Sequence, residues 1–444
     1  MSVTRLIALA VLVATLVACA SSQAEEKSAV RQAIRTSLAA APQTTPAPGE
    51  RTATATPPPT ATPRPTATPR PTATSTATST PYPITTPPTR PPSPGRTRGG
   101  RTYPPGAFEF IHTQFDVPPP PPRVPDEFVQ SLPAVPEGVC PLTGRPVKDP
   151  AVLQRRPLNV RVDNSAQGRP QSGLTFADVV WEALAEGGIT RFTATYLCQE
   201  ANAIGPVRSA RLIDLQLWPM LDAVLVHVGA SQPVMDMILS SPWANANLDE
   251  YLGHPGFYRI SRAPASWLRT YTNTERLWAA VEAIGEQRPS RTLRGWLFSE
   301  EPPPGDREPA TELEIPFSPG TSSVVRFRYD EASGSYLRFQ GNQPHVDKLT
   351  GKQLRASTVF VVFAEMTVTK IVEDSLGSKS LHFKVYGEGP ALVVRDGFVY
   401  RVRWRREGEN VMIRPVDAQG RIVPFKPGQI WVEIVPSDMQ VTWK

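Results

Sequence analysis

Two arginines three residues apart, in the stretch IGPVRSARLIDL (204–215), pose the first chemical question of this sequence. They follow a Gly-Pro turn and precede a run with helical spacing. Both guanidinium groups therefore fall near a helix start, where unpaired N–H groups already carry roughly half a positive charge. Cations there are mildly unfavourable unless something negative answers them. A guanidinium grips carboxylate or phosphate through a planar fork, and it tolerates burial only when paired. Two further arginines stand beside turn residues, Arg169 in GRPQSG and Arg191 in ITRF. Arg169, Arg191, Arg208 and Arg211, with Ser209 between the last two, are thus the candidate anion-binding set. The negative charge has two possible sources. One is an external ligand; the other is the chain's own Asp163, Glu182, Glu186 and Asp222, which would make an internal ion-pair lattice.

Asp163, Glu182, Glu186 and His227 are also the weak candidates for acid–base catalysis. Glu182 and Glu186 raise the possibility of a two-carboxylate glycosidase. On a helix they would lie about 6 Å apart along the axis, but on a strand about 13 Å apart. Gly187-Gly188 reads as a hairpin turn, so the strand spacing is expected and the dyad is not. His227 closes the apolar strand LVHVG, where open α/β sheets place ligands, although a core histidine bonded to backbone fits the same pattern. Neither metal nor cofactor is expected. The histidines at 112, 227, 254, 345 and 382 show no HxH or HxxH spacing, GxSxG does not occur, and GEGPALVVRDG lacks the Lys-Ser/Thr of a phosphate loop.

These residues need elements to hold them. The chain opens with Arg5 and an apolar run from Leu6 to Val17, which suits an export signal and is short for a membrane span. LVAC (16–19) then has the lipobox pattern, giving a signal peptide over 1–18 and Cys19 as the lipidated residue, with the chain tied by lipid to the outer face of a bacterial membrane. Residues 19–41 read as a tether, with a possible short helix over 22–38. Residues 42–136 are rich in Pro, Thr and Ser and read as a disordered, polyproline-like linker. Between residues 41 and 101 seven arginines face one acid, Glu50, which accounts for the whole net charge of +6. The remainder sums to about zero and shows no basic face of the kind nucleic acid requires. Cys140 and Cys198 could form one disulfide or remain two buried thiols.

Two folded regions follow. Over 137–311 strands and helices alternate: strands at 158–164 and 223–229, a hairpin over 178–197, and helices over 211–221, after Ser231, and after the Asn273/Thr274 cap. From 312 to 444 the alternation is strand-like throughout, as in SVVRFRYD, TVFVVFAEMTVTKIV and IWVEIV, pointing to a small sandwich or open barrel. The fold class is α+β, an α/β domain followed by a β-rich one.

PLTGRPV, RPLNVRVDN, RPQSGLTFADVVWEALAEGGITRF, IGPVRSAR and DAVLVHVGAS together resemble the YerB-type family of bacterial lipoproteins. VDKLTGKQLRASTVFVVF and the segments RDGFVYRVRW and PGQIWVEIVP resemble its second, β-rich domain. The resemblance spans roughly 140–440 and implies an envelope-anchored, two-domain protein without an established reaction. One departure bears on chemistry. SRAPASWLRTYTN carries Ala265 and Ser266 where the family has His and Asn, so a histidine-dependent reaction in relatives would lack that group here. The resulting expectation is an envelope lipoprotein whose α/β domain binds an anionic envelope component: a cell-wall fragment, a glycan or an acidic partner. A hydrolase acting on such a polymer and a purely structural protein are the alternatives. Nothing in the sequence points to an oligomeric state.

Overall fold

The computed structural model describes residues 96–98, 101–318 and 324–444. The leader, Cys19, the 22–38 segment and most of the Pro/Thr tract lie outside the described residues.

The candidate arginines are organised by strand parity. In β1 (Leu158–Asp163) all six residues are buried. Leu158, Val160 and Val162 line one face, while Asn159, Arg161 and Asp163 line the other. Its antiparallel neighbour β3 (Thr190–Tyr196) keeps the same parity, pairing Arg161 with Thr193 and Asp163 with Arg191. β2 (Val179–Leu184) and β3 form the hairpin expected from Gly187-Gly188. β4 (Val224–His227) and β5 (Asn247–Asp249) extend the sheet in parallel from β1.

The β-rich part joins this sheet directly. β13 (Ile430–Pro436) runs parallel to β2 on one side and to β9 (Thr358–Val372) on the other. β11 (Gly387–Arg395) and β12 (Phe398–Arg406) continue outward. The result is one twelve-stranded mixed sheet whose central order is β12, β11, β9, β13, β2, β3, β1, β4, β5. β10 (Lys379–Lys384) pairs with β9 as a hairpin.

A second, six-stranded sheet is built around the antiparallel β6 (Glu312–Pro316), β7 (Val324–Asp330) and β8 (Ser335–Gln340). It packs on the large sheet, with the Phe327 and Trp431 rings 5.9 Å apart. The fold is mixed α+β with a β-rich C-terminal part, but its strands do not close into a separate small sandwich or barrel. They divide between two sheets, because β13 and the 358–364 part of β9 are buried on both faces and belong inside a covered sheet.

The opposite, polar face meets the helical segments through Asp214, which pairs with Arg161. α3 (Asp214–Met220) begins three residues later than the 211–221 pattern indicates and runs through Pro219. Arg208 and Arg211 therefore precede its first turn, which instead holds Asp214. α4 (Gln232–Ser240) follows Ser231, and α5 (Thr274–Ala283) is capped by the Asn273 side chain.

The packed body also starts earlier than residue 137. α1 (Ala107–Gln114) and α2 (Asp126–Ser131) fall in the expected linker, yet Phe108, Val117, Val129 and Leu132 are buried. Proline-rich composition masked these apolar anchors.

Candidate functional site

On the polar face of the sheet, arginines and carboxylates alternate. Arg161 lies 3.1 Å from Asp214, which also accepts from Thr193 Oγ1 at 2.9 Å and from the Arg211 backbone N–H at 2.7 Å. Glu186, at the hairpin turn, receives Arg191 at 2.8 Å and Arg211 Nε at 2.6 Å. Glu373, from the β9–β10 connection, reaches back to Arg211 at 3.3 Å. Three buried arginines thus meet three carboxylates. Burial alone would raise Glu186, but the Arg211 hydrogen bond and the nearby guanidinium charges overcome it and hold the carboxyl at about 2. Arg191 is pushed down to about 9, by burial first and then by Arg211, and stays charged at neutral pH.

A second cluster occupies the other face. Glu182 accepts from Arg338 at 2.7 Å, from Thr190 Oγ1 at 2.5 Å and from Asn164 Nδ2 at 3.2 Å. Arg338 also meets His345, whose Nε2 lies 2.6 Å from Gln171 Oε1. Glu433 stands opposite Glu182 in the β13–β2 register, and both are fully buried. Burial, and then the Glu182 charge, push Glu433 well above the usual carboxylate range. Arg338 pairs with Glu182, and Glu433 is the carboxyl whose ionised form this site disfavours. Burial, and then the Arg338 and Arg169 charges, keep His345 neutral. Sequence reasoning missed Arg338 and Glu433. The available signal was a charge of each sign inside apolar strands, YLRFQ and IWVEIV.

The structure divides the four candidate arginines. Arg191 and Arg211 are buried and committed to Glu186, a correction to their expected role as ligand contacts, because a guanidinium already forked onto a buried carboxylate has little left for another anion. Arg208 and Arg169 differ. Arg208 lies 3.2 Å from Asp163, donates from Nη1 to the Trp267 carbonyl, and keeps 20% of its side chain exposed. Arg169 is half-buried and donates to the Asn164 carbonyl at 2.5 Å, with no carboxylate within ion-pair distance among the described residues. The two flank the carboxyl end of β1, one on each side of the sheet. Ser209 sits beside Arg208 and is half-buried. Asp222 serves none of them: it pairs with Arg156 at 2.6 Å and accepts from Ser290.

The acid–base candidates are all internally engaged. Glu182 and Glu186 belong to different clusters, and Asp163 accepts from the backbone N–H and hydroxyl of Ser165 as well as from Arg208. His227 is fully buried, with Nδ1 2.8 Å from the Gly229 carbonyl and Nε2 2.9 Å from the Asn247 side chain. None is placed to meet a substrate from solvent in this conformation.

Cys140 and Cys198 are joined by a disulfide. Val139, Pro141 and Leu197, which flank these cysteines, help line a groove of about 610 Å³ that also includes Arg155, Arg288 and Arg291. This groove contains none of the four candidate arginines. The Cys140, Asp178 and Cys198 donor atoms lie within 4.8 Å of one another, but both thiols are consumed in the disulfide, so the set does not suit a metal ion.

The architecture is a mixed α+β fold whose two sequence regions share one sheet, with buried ion-pair clusters on both faces of that sheet. The chain belongs to the DUF3048 family of proteins of unknown function: residues 142–287 match its N-terminal domain and 313–432 its C-terminal domain. It is 33% identical over 303 residues to "Putative lipoprotein YerB" of Bacillus subtilis (strain 168), covering 67% of this chain and 86% of that protein. The crystal structure of YerB from Bacillus subtilis is similar, at 30% identity and a TM-score of 0.58, covering 68% of this chain and 99% of the other. Among the described residues no helix is long and apolar enough to cross a membrane.

Proposed function

We propose that this protein is held to the outer face of a bacterial membrane by lipid on Cys19 and binds an anionic envelope component through Arg208, Ser209 and Arg169. The observation that carries the reading is the division among the four arginines. Arg191 and Arg211 are locked on Glu186, whereas Arg208 keeps a partly exposed side chain and Arg169 has no carboxylate within ion-pair distance among the described residues. Both stand at the carboxyl end of a strand in a parallel run, the end at which open α/β sheets receive ligands.

The lipobox pattern at 16–19 and the likeness to a lipoprotein support the anchor. The magnitudes are adequate for binding. Charged hydrogen bonds contribute about 1.5–3 kcal/mol each, so two or three supply much of the roughly 8 kcal/mol of a micromolar complex. The test is a sedimentation assay of the full-length protein with purified anionic cell-wall polymer. The Arg169→Gln/Arg208→Gln double variant should lose binding while keeping a cooperative melt near the parent's. Undiminished binding by that variant would refute the assignment.

A further inference from the structure

The surface beside Arg208 carries more than charge. The Arg208 carbonyl accepts from Val228 N–H, and Ala210 N–H donates to the Gly229 carbonyl, so the 208–210 segment is strapped to the loop that follows β4. A Cβ placed on Gly229 would meet Tyr251 Cβ at 3.6 Å, which puts Tyr251 directly over that loop. On the other side, Arg208 Nη1 donates to the Trp267 carbonyl at 3.3 Å. Trp267 is 55% exposed and Tyr251 78% exposed. Two exposed aromatic residues therefore adjoin the 208–210 segment, Trp267 through its backbone carbonyl on Arg208 and Tyr251 through the loop to which that segment is strapped. Scattered exposed apolar residues need no explanation, but a pair bordering a charged site does.

Asp249, buried beneath the loop, accepts from the Gly229 and Tyr251 backbone N–H groups, and the exposed chain beyond it is basic. From residue 251 to 274 the chain contains Arg259, Arg262 and Arg269 and no acid. The neighbouring Glu250 is neutralised by Arg259, whose Nε and Nη2 lie 3.0 and 2.9 Å from its carboxylate.

We infer that the ligand of this site is an acidic carbohydrate whose sugar ring packs on Trp267 while its carboxylate or phosphate meets Arg208. This inference rests on the anion-binding reading above and names the ligand class within it. The chemistry distinguishes a sugar from an acidic peptide. A pyranose presents a face of C–H bonds with slight positive charge, which complements the negative face of an indole or phenol ring. Its hydroxyls suit Ser209 and the backbone groups around it. An acidic peptide would use the arginines but would gain little from a flat aromatic surface.

The experiment titrates the full-length protein at low salt with two probes of matched charge, a trigalacturonate oligosaccharide and a triglutamate peptide. The inference expects the uronate to bind more tightly. It expects Trp267→Ala to weaken uronate binding at least tenfold while leaving the melting temperature and the peptide affinity unchanged, and Trp267→Phe to restore most of the loss. Uronate binding indifferent to Trp267→Ala, or peptide binding without uronate binding, would overturn the carbohydrate inference and leave the anion reading standing. Failure of both probes to bind would overturn both.

Discussion

At the residue scale, the same chemical type takes opposite roles according to what surrounds it. Glu182 and Glu433 are both carboxylic acids within one buried pair, yet Glu182 meets Arg338 at 2.7 Å while burial, and then Glu182, push Glu433 well above the usual carboxylate range. Glu433→Gln should therefore fold with a melting temperature close to the parent's, since it replaces a neutral carboxyl by a neutral amide. Glu182→Gln should cost about 3–5 kcal/mol, because Arg338 would remain buried without its counter-charge. Denaturant titration of the two variants checks the asymmetry. Glu186 gives a pH signature. Its carboxyl is held at about 2 against a free value of 4.5, so its contribution is complete above the free value and is lost as pH falls through the folded one. Stability should decline between about pH 4.5 and 2 by on the order of 3 kcal/mol from this group, and Glu186→Gln should flatten that part of the profile.

At the element scale, much was legible in the sequence and the failures have physical causes. The 178–197 hairpin followed from Gly187-Gly188, and the helix after Asn273 from its cap, because both signals act locally. The polar side of β1 was harder. Alternation in LNVRVDN resembles a half-exposed strand, but both of its faces are buried, the charged one meeting Asp214 and Arg208, and no local signal encodes what arrives from elsewhere in the chain. Glu373 is the clearest instance, since it lies more than 160 positions beyond Arg211 and is delivered by the β9–β10 hairpin. Arg208 and Arg211 were legible as charged residues needing partners, but their division between ligand and lattice depended on those distant acids. Because Arg211 also holds Glu186, Glu373→Ala should destabilise the protein by less than Glu186→Ala, which strips two arginines at once. Paired thermal melts would show the order, and the reverse order would contradict the lattice as described.

At the scale of the whole molecule, the packed body begins before residue 107 and its two sequence regions share one sheet through β2 and β13. Limited proteolysis should therefore leave a resistant fragment that begins near residue 101, not 137, and unfolding of that fragment should be a single transition rather than two. For the anchor, Cys19→Ser should move the protein from the membrane fraction to the soluble one. The proposed site depends on a division between structural and ligand-facing arginines. The most direct measurement is the stability of Arg211→Gln beside that of Arg208→Gln by denaturant titration. Arg211→Gln leaves Glu186 and Glu373 under-paired in the interior and should lose about 3–5 kcal/mol. Arg208→Gln should lose clearly less, because it removes one partly exposed guanidinium from a single carboxylate, and Asp163 keeps both Ser165 hydrogen bonds. Equal losses in the two variants, or a larger loss for Arg208→Gln, would contradict the account.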